Sequence, residues 1–313
     1  MIKPKALKYG NTIGIIAPSG PAVREKTESG KKFLEELGFN VVLSEGCYGK
    51  NGYLAGTDER RLKDLHGMFE NPDIHGIICL KGGYGTPRIL DGIDIDLIIR
   101  NPKVFMGYSD ITALHVLFNQ QASLVTFHGP MIASEFYKGL DERTVESMKH
   151  SLMSDQSQGS LINPEGEEIR CLFEGRAKGR IIGGNLALIA ATMGTPYEID
   201  TKDKLLFLED VGEDPYRIDR MLTQLRLGGK LKEAAGIIFG DFKDCEGKKE
   251  KDARSLRAVL SEFAEDAGIP AIYNLQTGHC LPHLILPLGV MATLDATEKT
   301  VILEESGVIS DDG

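Results

Sequence analysis

Nowhere in these 313 residues do lysine and arginine gather into an unbroken run. The densest string, Lys248, Lys249 and Lys251, is interrupted by Glu250 and Asp252, and the formal net charge is −10. Binding a phosphate backbone needs clustered cations, so nucleic acid is excluded as the main partner. Long apolar runs are missing as well: no window reaches the roughly 18 residues of a membrane-spanning helix. The first residues include lysines but no apolar core before Pro18 and no cleavage pattern, so no secretory signal is expected and the cytoplasm is the expected compartment. Tryptophan is absent and cysteine is sparse. Cys47, Cys79, Cys171, Cys245 and Cys280 lie far apart and form no CxxC pair, so reduced thiols are expected rather than a disulfide framework. What remains, 42% apolar and 26% charged residues, is the balance of a soluble globular protein long enough for two domains.

The first half alternates short β-branched runs with amphipathic stretches. Segments 12–17, 40–44, 75–80, 103–106 and 124–127 read as buried parallel strands. All but the second run directly into a glycine-bearing turn: Pro18-Ser19-Gly20-Pro21, Lys81-Gly82-Gly83-Tyr84-Gly85, Gly107-Tyr108-Ser109-Asp110 and His128-Gly129-Pro130. Between them, helical stripes are expected at Gly30, Phe33, Leu34 and Leu37, at Leu62, Leu65 and Phe69 behind a Thr57 cap, and at Ile111, Leu114 and Phe118. This rhythm predicts an α/β domain over 1–153: a Rossmann-like parallel sheet with helices on both faces and ligands beyond the carboxyl ends of its strands. Residues 154–168 carry no periodic apolar pattern and are expected to be a linker.

From 169 to 313 the pattern is less regular. Strands are expected near 169–173, 178–182, 205–208, 236–239, 270–274, 284–287, 290–296 and 300–304. A helix should start behind Asp214 and Pro215, with Ile218, Met221, Leu222 and Leu225 inward, and a charged helix should cover about 252–266. Short strands and tight turns predict a barrel-like mixed sheet. The tail 310–313 is expected to fray.

Several chemistries find no support. The glycine turns have neither GxGxxG nor Walker order, so no nucleotide cofactor is expected. No HExxH occurs, and His279 and His283 straddle Pro282, so no metal is expected either. Ser109 stands out because it lies between a buried strand and a helix, where a hydroxyl and the N–H behind it can serve as nucleophile and oxyanion donor. Position 111 is Ile, however, where the familiar elbow has glycine, and Ser109 or Asp110 could equally be a helix cap. Candidate bases are His128, His279 and His283; the candidate acids, Glu209 and Asp210, end an apolar strand, where an unpartnered acid is costly. The residues alone leave these choices open.

Taken together the motifs carry a resemblance. GIIAPS (14–19), KGGYG (81–85) with Arg88, NPK (101–103) leading into GYSDIT (107–112), and HGP (128–130) are followed by LED (208–210), YRIDRML (216–222), GDF (240–242) and GH (278–279). From about residue 5 to 305 the chain resembles the LD-carboxypeptidase family of serine peptidases. The resemblance implies an N-terminal Rossmann-like domain carrying the nucleophile, a C-terminal, roughly barrel-shaped domain supplying acid and base, and a site at their junction. It further implies Ser109, Glu209 and His279 as catalytic triad and the N–H groups of Gly83 and Asp110 as oxyanion hole, with no cofactor. Lys81 (where relatives often have Arg), Arg88 and Arg217 become candidates for binding the substrate carboxylate. The implied reaction converts murein tetrapeptide to tripeptide in cell-wall recycling, by a homodimer. One alternative within the family is the microcin C immunity activity, which cleaves an aminoacyl- or peptidyl-nucleotide amide. One of another class is a non-catalytic small-ligand binder in which Ser109 only caps a helix.

Overall fold

A computed structural model describes residues 1–246 and 254–310. The lysine string at 248–251, the expected helix start at 252 and the tail from residue 311 lie outside them. Two compact units emerge: Met1–Gln156 with Ile285–Gly289 and Ser306–Gly313, and Ser157–Leu284 with Val290–Glu305.

In the first unit the apolar runs form β1 (Thr12–Ile16), β2 (Asn40–Leu43), β3 (Gly76–Cys79), β4 (Val104–Gly107) and β5 (Thr126–His128). All five are parallel, in the order β5-β4-β3-β1-β2. The inner strands β3 and β4 are buried along their whole length, as strands covered on both faces are, while edge strand β2 alternates exposed and half-buried residues. A sixth strand, β12 (Leu286–Leu288), joins antiparallel beside β5, pairing Leu286 with His128 and Leu288 with Thr126. The sequence reading had set segment 284–287 among the strands of the second half. Three residues with a central Pro287 carry no signal of which sheet they complete. An edge strand tolerates the missing N–H of a proline.

Helices α1 (Arg24–Glu36), α2 (Asp58–Glu70), α3 (Ile95–Arg100), α4 (Thr112–Gln121) and α5 (Glu142–Met153) connect or follow these strands. Thr57 caps α2, its hydroxyl accepting from Arg60 N–H. The buried face of α2 includes the expected Leu65 and Phe69 but also takes in Arg61, Asp64 and Met68, with Leu62 only half-buried.

The second unit contains β6 (Gly159–Leu161), β7 (Arg170–Phe173), β8 (Arg176–Asn185), β9 (Leu205–Val211), β10 (Gly236–Lys243), β11 (Ala271–Tyr273), β13 (Met291–Asp295) and β14 (Thr300–Leu303). The order is β6-β14-β13-β8-β9-β10-β11-β7, parallel from β8 to β11 and antiparallel elsewhere. The sheet is mixed, as expected, but it is not a closed barrel: among the described residues no pairing joins the end strands β6 and β7. Strand β6 also lies within 154–168, expected from sequence to be a linker; its polar, glycine-containing residues form a strand because β14 supplies the partner. Helices α6 (Leu186–Ala191), α7 (Pro215–Leu227), α8 (Lys230–Glu233) and α9 (Leu256–Ala267) complete the unit. In α7, Ile218, Leu222 and Leu225 are buried as the spacing predicts.

Candidate active site

In the first unit β4 delivers the chain into a turn of one residue before a short helix over Ser109–Ile111. Ser109 sits there at φ +62°, a left-handed backbone that costs an L-residue with a Cβ roughly 1–2 kcal/mol. Such strain marks a residue whose position matters. Gly107 makes the turn possible, because a Cβ there would stand 3.1 Å from Cys79 Cβ and 3.0 Å from Ile111 Cγ1. Gly82 lies directly against the serine: a Cβ on it would be 3.0 Å from both Ser109 Cβ and Oγ. Gly83 follows at φ +119°.

Asp110 is wholly buried, and its carboxylate is structural: Oδ2 accepts Thr86 N–H at 2.9 Å, while Thr86 Oγ1 donates to the Asp110 carbonyl. The loop after β3 is thereby tied to the loop after β4. Of the cations expected to meet substrate, Arg88 is already paired, through Nε and Nη2, with Asp58 at 3.1 and 2.8 Å. Arg217, in the second unit, contacts Glu213 at 3.3 Å and donates from Nε to Tyr216 Oη at 3.0 Å. Lys81 is half-buried and has no ion pair among the described residues.

The three candidate histidines differ in their surroundings. His128 and His283 are 0% exposed, and burial pushes the His283 imidazole down to about 3. The His279 side chain keeps 16% exposure. Its Nδ1 lies 2.7 Å from Glu209 Oε2, on a carboxylate that is 0% exposed near the end of β9. With Nδ1–H donating to that oxygen, Nε2 is left as an acceptor able to take a proton. Glycine before the histidine is a steric requirement, since a Cβ on Gly278 (φ +132°) would fall 2.9 Å from Glu209 Oε2.

The neighbouring strand is shaped to receive the same loop. The β9–β10 register shifts between Phe239 and Phe242, a bulge holding Gly240 and Asp241. Asp241 N–H donates to Thr277 O at 3.0 Å, and a Cβ on Gly240 would stand 2.5 Å from that carbonyl. Two more carboxyls therefore surround the pair. Burial, and then the charge of Glu209, push Asp210 up to about 7 and Asp241 up to about 6. Asp210 is fully engaged, accepting from Asn185 Nδ2 (3.1 Å), Val211 N–H (2.8 Å) and Ala187 N–H (3.0 Å). Asp241 Oδ2 is buried with no hydrogen-bond partner among the described residues. The sequence reading noted GDF only as a matching motif and did not single out Asp241; a carboxylate in an otherwise apolar strand was the available signal.

Comparison with known proteins follows the same outline. Residues 13–129 match the model of the LD-carboxypeptidase N-terminal domain and residues 178–294 that of its C-terminal domain. The chain is 45% identical over 302 residues to a probable murein peptide carboxypeptidase of Bacillus subtilis, covering 96% of this chain and 94% of that one. It is 32% identical over 290 residues to the murein tetrapeptide carboxypeptidase of Pseudomonas aeruginosa, with 90% and 92% covered. Among solved structures, the microcin C7 self-immunity protein MccF in complex with glutamyl sulfamoyl guanosine matches with a TM-score of 0.90 at 28% identity, covering 99% of this chain and 100% of that one.

Proposed function

Because this chain belongs to the LD-carboxypeptidase family of serine-type hydrolases, we propose that it shortens murein tetrapeptides, cutting the amide between the L-centre of diaminopimelate or lysine and a terminal D-alanine. One observation carries the reading most: a wholly buried carboxylate committed to one nitrogen of a partly exposed imidazole. That arrangement supports a histidine acting as general base. The strained Ser109 after β4 is the matching nucleophile.

In this reading Ser109 Oγ attacks the carbonyl carbon while His279 Nε2 takes its proton, and Glu209 holds the tautomer and stabilises the imidazolium. The oxyanion forms against the N–H groups of Gly83 and Asp110; one such donor is worth roughly 3 kcal/mol. His279 then protonates the departing D-alanine amine. Water clears the acyl-enzyme by the same route and returns Ser109 to its starting state. Lys81, free of ion pairs among the described residues, takes the terminal carboxylate, with Arg88 and Arg217 as its alternates. No helix among the described residues is long and apolar enough to cross a membrane. The proposal sets the enzyme in the cytoplasm as a homodimer, and light scattering on the purified protein checks its mass.

The likeness to MccF favours a second reading, hydrolysis of a peptidyl- or aminoacyl-nucleotide amide. Only three residues separate β9 from α7, which leaves little room there for a nucleotide-binding insertion and supports the murein substrate. Incubation with murein tetrapeptide and with processed microcin separates the two, and cleavage of the microcin alone would reverse the choice. For the murein reaction, Ser109→Ala and His279→Ala should each lower kcat by about 10³-fold or more, with melting midpoints near the parent's. Glu209→Gln should lose less, since part of the ring orientation survives. Release of D-alanine is the readout; a parent protein that releases none and takes no adduct of a serine-reactive phosphonate at Ser109 would leave a non-catalytic binder.

A further inference from the structure

Arg61, in the first turn of α2, has a side chain that is 0% exposed. Arginine is almost never fully buried unless its charge is paired and its donors are used. Here Nη1 donates to Pro18 O at 2.6 Å and to Gly85 O at 2.7 Å, while Nη2 donates to Asp58 Oδ1. Pro18 lies in the turn after β1 and Gly85 in the turn after β3, so one nitrogen spans two loops that meet only in the folded chain. Asp58 balances the charge, and it also holds the exposed Arg88.

Among the described residues, the turn after β3 is otherwise fastened around its two ends. Gly20 N–H donates to Gly82 O at 3.2 Å before it, and Thr86 N–H to Asp110 Oδ2 at 2.9 Å after it. Between them lie Gly83 at φ +119° and Gly85 at φ +144°, on either side of the exposed Tyr84. Glycine reaches such angles without steric cost and leaves them as easily, so peptide planes in this stretch need a tether. The tethers at the Gly85 carbonyl are the Arg61 guanidinium and, at 3.2 Å, Arg88 N–H in the helical turn that follows. The guanidinium and the glycine also interlock, since a Cβ on Gly85 would come within 2.8 Å of Nη1.

We propose that Arg61 is a positioning residue for acyl transfer, locking the Gly82–Gly85 turn in the conformation that aims the Gly83 N–H at the developing oxyanion. The proposal rests on the reading of Gly83 as an oxyanion donor. An oxyanion donor must be in place before charge develops, because reorganisation during the reaction would cancel its benefit. Arginine suits the task because its planar fork serves two carbonyls and a carboxylate together; lysine offers a point charge without that geometry.

The test compares full-length parent with Arg61→Lys, which keeps the charge and gives up the fork. Expected is a loss in kcat of about 10²-fold, the scale of one misplaced oxyanion donor, with KM nearly unchanged. Amide exchange over residues 82–85 should quicken while the melting midpoint stays within a few degrees. If Arg61→Lys does not fold, Gly85→Ala displaces the guanidinium from the other side and carries the same expectations. Parent-like kcat in a folded variant whose turn has loosened overturns the proposal, as does unchanged exchange in the turn. A loss confined to KM, or one that merely tracks the melting midpoint, also overturns it. Ser109→Ala runs alongside: full activity there removes the serine mechanism itself, whereas an inert Ser109→Ala beside a fully active Arg61→Lys removes only the positioning role.

Discussion

Asp241 shows what a single residue can do to the pH response of this fold. Its carboxyl is pushed up to about 6, first by burial and then by Glu209, against an ordinary value of 3.8. Between about pH 4 and 6 the folded chain therefore holds a proton that the unfolded chain has released. Stability falls as pH rises through that window, and the full penalty applies above it. Asp241→Asn should remove the penalty: it should melt above the parent at pH 8, and the two curves should converge near pH 4. Parallel curves from pH 4 to 8 in a thermal-shift series would show that the carboxyl is not strained. Asp241 leaves only a faint trace in the sequence, a carboxylate in an otherwise apolar strand, and Arg61 leaves none. Nothing in the sequence sets Arg61 apart from Arg60, and only the arrival of the Pro18 and Gly85 carbonyls, 43 and 24 residues away, explains why it is buried. Glu209 and His279 were recognisable as candidates from a costly acid at a strand end and a histidine after glycine. Their hydrogen bond, spanning 70 residues, was not readable from spacing.

At the scale of elements, local signals were most dependable where one short segment decides the outcome. At the start of α5, Asp141 Oδ1 accepts Thr144 N–H at 2.9 Å, and Oδ2 accepts Thr144 Oγ1 at 2.6 Å. Asp141→Ala should cost about 1 kcal/mol of stability in denaturant titration and leave kcat and KM unchanged. A change in kcat of tenfold or more would show that the cap does more than hold a helix. The five parallel strands were visible for a similar reason, as unalternating β-branched runs ending in glycine turns. The buried face of α2 keeps the expected Leu65 and Phe69 but shifts from Leu62 toward Met68, because its phase is set by what it packs against. Gly14, for instance, leaves space for the Met68 side chain, whose sulfur would lie 2.6 Å from any Cβ there. The open edge of the second sheet was hidden because short strands with tight turns look alike in a closed barrel and in an open mixed sheet.

At the scale of the whole chain, the first sheet is not contained in its first half. Strand β12 closes the β5 side, and residues 306–313 are grouped with the first unit. Gly307 abuts the core there: a Cβ on it would stand 2.7 Å from the Phe127 ring. A fragment ending at residue 156 should therefore leave β5 as an unpaired, wholly buried-type edge and associate rather than remain a folded monomer. Size-exclusion chromatography and circular dichroism of that fragment provide the check; a monomeric, cooperatively melting fragment would show that β12 is dispensable.

The late strand also gives the ribosome a part in the story. Translation at about 5–20 residues per second leaves roughly ten to thirty seconds between the emergence of β5 and that of its neighbour. Throughout that interval the nascent sheet presents a raw hydrogen-bonding margin to the crowded cytosol. Chaperone demand should fall on this stretch of synthesis, and the serine-bearing unit cannot mature until β12 has been made.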